Sequence, residues 1–211
     1  VDINARCYSM QKDRQNRVWL STDQGCFIFD SGRVINQLEL PNAISSDEGK
    51  VIRYTFLDSR NQLFIATEKN LYISNSLQFI NPKNSEGSIY KLASLKKLPV
   101  SFENGLITDI VQDFQNNYWI STTKGLFLLT PEKGELNLAS FYAGKAPNSI
   151  NSDFIIDLFI DQAHNLFIST YAGGVNIIDL QQKAFYRVRH DPDNPNTISD
   201  KIVRAIADDG T

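Results

Sequence analysis

Apolar residues in this chain come in short runs set apart by polar punctuation. The sharpest example is Asp153 to Asp179, DFIIDLFIDQAHNLFISTYAGGVNIID. Ile155, Leu158 and Phe159 lead into Asp161, a polar turn runs from Gln162 to Asn165, and Leu166-Phe167-Ile168-Ser169-Thr170 follows. Gly173-Gly174 then interrupts the chain before a third run, Val175 to Ile178. β-Branched and aromatic runs punctuated by Asn, Asp and Gly predict a meander of antiparallel strands.

Degraded copies of this stretch recur. Anchored on the Asp that closes the first strand, they begin at Asp13, Asp58, Asp113, Asp161 and Asp208, at intervals of 45, 55, 48 and 47 residues. Six residues past the first four anchors stand Trp19, Phe64, Trp119 and Phe167, each followed by Leu or Ile. Nine past them stand Thr22, Thr67, Thr122 and Thr170; twelve past them, Gly25, Asn70, Gly125 and Gly173. Asn16, Asn61, Asn116 and His164 take the turn position where the left-handed conformation is expected, with the anchor carboxylate accepting from turn amides. The later Gly or Asn is expected at positive φ. The aromatic pair is read as the buried middle of the second strand, and the Thr hydroxyl as a link to the backbone of the next module.

A repeat of this length with three or four short strands predicts a blade of a β-propeller, an all-β fold, whereas a sandwich has no reason to repeat a register. The blades are read as 1–45, 46–100, 101–147 and 148–195, with 196–211 starting the next. Outer strands are expected at Gln37 to Leu40, Ile89 to Leu95, Leu138 to Tyr142 and Phe185 to His190. Lys91 to Pro99 is expected to hold an insertion or a short helix. Four blades plus one inner strand, Ile202 to Ala207, form an incomplete ring, so the chain is read as a piece of a larger propeller. Open blade faces at its two ends predict self-association.

Composition narrows the function. Of 211 residues 42% are apolar, with thirteen Phe and eight Tyr, which suits a strand-built core. A net charge of −3 argues against a nucleic-acid binder or an anionic-membrane binder, and no apolar run reaches the length of a membrane span. Cys7 and Cys26 fall on the first and third strands of one sheet and are read as two small buried thiols without a disulfide.

The runs DRQNRVWLSTDQGC at Asp13 to Cys26, DFQNNYWISTTKGL at Asp113 to Leu126 and DQAHNLFISTYAGG at Asp161 to Gly174 resemble the two-component regulator propeller repeat. The segment RHDPDNPNTISD, Arg189 to Asp200, is similar to that family's linker between blades. The resemblance implies a seven-bladed propeller in the periplasmic sensor region of a Bacteroides-type hybrid two-component system. Its implied input is an oligosaccharide from dietary or host glycans, and the kinase and membrane segment would lie outside this chain. Phe for Trp in two copies and Asn70 for Gly are departures that leave the fold expectation in place.

Ligand contacts are expected where the loops entering each first strand meet the loops joining second and third strands. Candidates there are Asn104-Gly105, Asn151, Asp153, Lys124, Lys201 and above all Tyr171, which sits in a loop with an extra residue. The alternative for Tyr171 is packing on the neighbouring blade. Four residues before the anchors lie Ser9, Tyr54, Asp109, Asp157 and Arg204, polar groups inside apolar strands. An ion pair between Asp157 and Arg204 is expected, or else a polar lining that meets ligand. Asp109 and Asp157 do not recur as a carboxylate pair in the other copies, and His164 and His190 have no shared-metal or triad spacing. The sequence therefore predicts no catalysis, metal or cofactor, and leaves a scaffold for a protein or peptide partner as the alternative to a glycan sensor.

Overall fold

The computed structural model describes residues 4–38, 50–74, 77–80, 89–92, 95–98, 102, 105–132, 134–146, 149–182 and 184–206. Asn104 and the fifth anchor, Asp208, lie outside the described residues. Every regular element among those described is a strand. The chain divides into two compact units, Val1–Ser101 and Phe102–Thr211.

In the first unit, β1 (Cys7–Lys12), β2 (Val18–Thr22), β3 (Gly25–Asp30) and β4 (Arg33–Leu38) form a sheet in that order. A second sheet holds β5 (Tyr54–Leu57), β6 (Leu63–Ala66) and β7 (Leu71–Ser74). Next, β8 (Leu77–Ile80) and β9 (Ile89–Leu92) pair only with each other as a separate hairpin beside β4, and β10 (Lys96–Lys97) then closes the second sheet against β7. The expected outer strand at Ile89 to Leu95 is thus corrected. LQFI and IYKL satisfy each other's backbone groups locally, so the chain reaches the free edge of β7 only afterwards, with two residues. That hairpin, not a helix, accounts for the long interval of the second repeat.

The second unit holds β11 (Ile107–Gln112), β12 (Tyr118–Thr122), β13 (Gly125–Glu132) and β14 (Glu135–Phe141) in one sheet. Its other sheet holds β15 (Ile155–Ile160), β16 (Asn165–Thr170), β17 (Gly174–Asp179) and β18 (Ala184–Val188). All strand pairings there are antiparallel between neighbours in sequence, as short turns dictate.

The sheets pack through the repeat register. Trp19, Cys26, Ile28 and Leu38 on one face of the first sheet bury against Ile52, Ile65 and Tyr72 from the second repeat. In the other unit Trp119 packs with Ile155, Leu158, Leu166 and Ile168. Trp19, Phe64 and Trp119 are buried as expected, while Phe167 is only half-buried. At about 25 cal/mol per Å², each fully buried residue of this size contributes roughly 2–3 kcal/mol of transfer free energy.

Turn chemistry follows the sequence closely at the first turn. The Oδ1 of each anchor accepts from backbone amides: Gln15 and Arg17 on Asp13, Arg60 and Gln62 on Asp58, Gln115 and Asn117 on Asp113, and Asn165 on Asp161. Asn16, Asn61, Asn116 and His164 adopt φ of 63°, 59°, 65° and 64°. The second turn is less regular. Gly25 and Gly125 have φ of 114° and 136°, but Asn70 does not take a positive φ, and in the fourth repeat the extra residue moves the positive φ to Ala172 and Gly174.

Two readings change at side-chain level. The Thr hydroxyls bond within their own hairpin, to the carbonyls of Gly25, Asn70, Gly125 and Gly174, and not to the next module. Such a hydroxyl is closest to the turn its own strand enters, so the local acceptor wins. Cys26 is buried, and burial pushes its thiol up to about 12, but Cys7 is exposed; both are free. Cys7 lies on the opposite, uncovered face of the sheet because a bulge interrupts the register between Cys7 and Ser9.

Candidate binding face

At one end of each sheet the strand-two-to-three turn lies beside the entry to the first strand, and in three of the four a backbone hydrogen bond joins them. The amide of the residue ten past the anchor donates to the carbonyl of the residue seven before it: Asp23 to Arg6 at 3.2 Å, Thr123 to Leu106 at 3.0 Å, and Tyr171 to Phe154 at 2.8 Å. The second sheet uses side chains there, with an Arg53–Glu68 ion pair at 2.7 Å and the Arg53 guanidinium 4.1 Å over the Tyr8 ring. In each sheet this end carries the loops expected to meet a ligand.

In the fourth repeat the arrangement is best defined. Tyr171 is 51% exposed and packs edge-on against Phe154, itself 41% exposed, with ring centroids 5.4 Å apart and planes at 84°. Its neighbour is thus in its own sheet. Ser152 Oγ donates to the Tyr171 carbonyl at 3.3 Å and accepts from the Phe154 amide. Asn151 sits below as a strut. Its Nδ2 donates to the Gly173 carbonyl, while its Oδ1 accepts from Thr170 Oγ1 at 3.2 Å and from the fully buried Asn176 at 2.9 Å. Its side chain thereby ties the entry of the first strand to the Thr170–Gly173 loop.

The other predicted residues separate. Asp153 accepts from the Ala143 amide at 2.6 Å, which ties the incoming linker to this end of the sheet. Lys124 and Lys201 are exposed at the same end; the Lys201 carbonyl accepts from Gly174 at 2.7 Å. Asp109 is buried and interior. Its Oδ1 accepts from Ile110 at 2.6 Å and its Oδ2 from Leu158 of the next sheet at 2.9 Å. Asp157 repeats the link, accepting from the Ile206 amide at 3.3 Å. The expected Asp157–Arg204 ion pair is not formed. Arg204 is exposed, and the described ion pairs are Arg17–Asp13 and Arg53–Glu68. A backbone amide partners the carboxylate without the cost of desolvating a guanidinium, so Asp109 latches one sheet to the next, while Asp157 holds the segment after β18, where 202–206 form no strand. Bulges between Ile107 and Asp109 and between Ile155 and Asp157 interrupt the ladder beside both acids.

Two features escaped the sequence reading. Phe154 is one, although the repeat register carried the signal: the seven-before position faces the ten-past position in three of the four copies. The other is the role of the Trp at six past the anchor, whose indole donates to the anchor carboxylate, Trp19 to Asp13 at 3.0 Å and Trp119 to Asp113 at 3.1 Å. At the opposite end of the second unit, Phe114 and His164 stack with centroids 4.3 Å apart. His190 is taken by the Ile198 carbonyl at 2.8 Å, and no group of metal-ligating side chains occurs among the described residues. The small cavity lined by Gln11, Trp19, Thr55 and Leu63 offers about 20 Å³, room for a water and not for a sugar.

No family model and no curated protein matches the chain. Among solved structures, a virginiamycin B lyase from Staphylococcus aureus is 9% identical over 91% of this chain and 59% of its own, with a TM-score of 0.61. The Dos1 propeller is 13% identical over 86% of this chain and 46% of its own, with a TM-score of 0.55. The fold is that of an incomplete β-propeller. Its blades are the four sheets above. Also similar is the extracellular domain assigned to a hybrid two-component system of B. thetaiotaomicron, 19% identical over 97% of this chain and 37% of its own, with a TM-score of 0.41. The chain therefore spans less than two thirds of the length of each of these three structures.

Proposed function

We propose that this propeller segment belongs to the extracytoplasmic sensor region of a hybrid two-component regulator. In this reading its loop face binds a glycan-derived oligosaccharide, and the signal passes to a histidine kinase carried on another part of the polypeptide. The exposed Phe154–Tyr171 pair carries the reading: two rings braced by Asn151 and Ser152 on a rigid blade, with hydroxyl and carboxylate groups beside them. A sugar offers an apolar C–H face to a ring and paired hydroxyls to polar neighbours, and pre-braced rings lose little entropy on binding. The repeat motifs supply the two-component context.

Calorimetric titration of the chain with neutral glycan oligosaccharides tests this reading. Saturable binding is expected, weakened about tenfold, equal to roughly 1.4 kcal/mol, by Tyr171→Ala. Chromatography of the same mixtures should show no new product. Absence of binding across the panel contradicts the sensor reading, and product formation replaces it with an enzyme.

A further inference from the structure

Trp19 and Trp119 are buried, yet Phe167 at the same register position is only half-buried, and Met10 is the most exposed large apolar side chain among the described residues. Both departures follow from how this chain builds the joints between its sheets. In each unit the first sheet contributes its Trp, six past the anchor, and the second contributes the residues five and seven past its own anchor. Trp19 is buried in one cluster with Leu63 and Ile65, and Trp119 in one cluster with Leu166, Ile168 and Leu158. All of these second-sheet residues are buried.

The first sheet leaves the five- and seven-past face open. Met10, Leu20 and Phe27 stand directly opposite one another across β1, β2 and β3, and Val18 stands opposite Phe29 beside them. Directly opposed residues share a face of an antiparallel sheet, here the face turned away from Trp19. Met10 is 65% exposed and the other four are half-buried. The fourth sheet leaves the other kind of face open. Phe159, Phe167, Ile177 and Tyr186 stand opposite one another in a single row across β15 to β18. The two Phe rings have centroids 6.3 Å apart, Ile177 is half-buried and Tyr186 is exposed. The matching row of the third sheet, Val111, Trp119 and Leu128, is the one packed into the core shared with the fourth.

We propose that these two open faces meet between copies of the chain: the β15–β18 face of one copy packs on the β1–β4 face of a second, head to tail. The occupant is a second copy because the chain itself carries both uncovered halves of a joint that it closes twice internally. The joint sets an aromatic-centred row against five- and seven-past residues, as the internal ones do. The backbone fits as well. β1 pairs with β2 in the same register as β15 with β16, with a bulge at the same place, between Cys7 and Ser9 and between Ile155 and Asp157. Met10 of the second copy therefore corresponds to Leu158, whose amide donates to Asp109 of the preceding sheet at 2.9 Å. At the joint between copies the Met10 amide takes Asp157 from Ile206, which donates at 3.3 Å from a segment that forms no strand. Since the two faces differ, the contact is heterologous.

Sedimentation equilibrium of the chain, from dilute to concentrated solution, tests the joint. The average mass should rise with concentration above that of the monomer. Met10→Lys and Tyr186→Lys change exposed side chains, so both variants should keep the strand-rich circular dichroism of the unaltered chain. Each should weaken self-association by about tenfold or more, because each puts a charge into one half of the joint. An equimolar mixture of the two should associate again and stop at the dimer, since it retains one intact pair of faces. A chain that stays monomeric at every concentration overturns the proposal. Association that survives Tyr186→Lys would mean that like faces meet, and a mixture that fails to associate would mean that the two faces are not partners; either result overturns the head-to-tail joint.

Discussion

Asp13 illustrates how much a repeat anchor does with one carboxylate. Burial pushes its pKa up, but the Trp19 indole, the Arg17 amide and guanidinium and the Gln15 amide together outweigh that and hold it below the usual carboxylate range. Since the folded pKa is depressed, its contribution to stability is complete above the unfolded value near 3.8 and is lost as pH falls through the folded one. Urea unfolding between pH 6 and pH 2 should show a steep loss below about pH 4, and Asp13→Asn should flatten it. An unchanged slope would show that the anchor is not the titrating group. The left-handed Asn positions and the anchor's turn amides were legible in the sequence, because both are local and fixed by residue type. The Trp–Asp bond was not recognised; spacing gave the six-residue interval but not the side of the sheet to which the indole N–H turns.

At the scale of the element, the joint between blades is set by what the first strand presents to its neighbour. Asp109 and Asp157 were recognisable as polar intrusions needing partners, yet the expected partner of Asp157, the Arg204 guanidinium, is not the one it takes. Backbone amides are available at every non-proline position, so a sequence does not advertise which one a buried acid will find. Asp109→Ala should cost about 1–3 kcal/mol by leaving the buried Leu158 amide unpaired. Asp157→Ala should cost less, since its bond to Ile206 is longer and only part-buried. Chemical denaturation of the two variants checks the order, and equal costs would deny that burial sets the value of the latch. The β8–β9 hairpin is the complementary lesson: the long interval announced an insertion, but two short β-rich runs can pair with each other or with the sheet edge, and only the register of β10 decides.

For the whole molecule, the repeat carried the fold class and one of the site's central rings. Tyr171 stood out because its loop has an extra residue, whereas Phe154 became visible only once the seven-before and ten-past positions were seen to meet. The register also makes a claim about packing that residue types alone would not. Met10 and Leu158 each stand three residues before an anchor, yet Met10 is 65% exposed on the open face of the first blade and Leu158 is 4% exposed within the core shared by the third and fourth. The decisive measurement is the urea-unfolding free energy of Leu158→Ala beside Met10→Ala. Truncating Leu158 should cost about 2–5 kcal/mol, and truncating Met10 under about 1 kcal/mol. Similar costs at both positions, or a larger one at Met10, would contradict blades that bury their faces in sequence order.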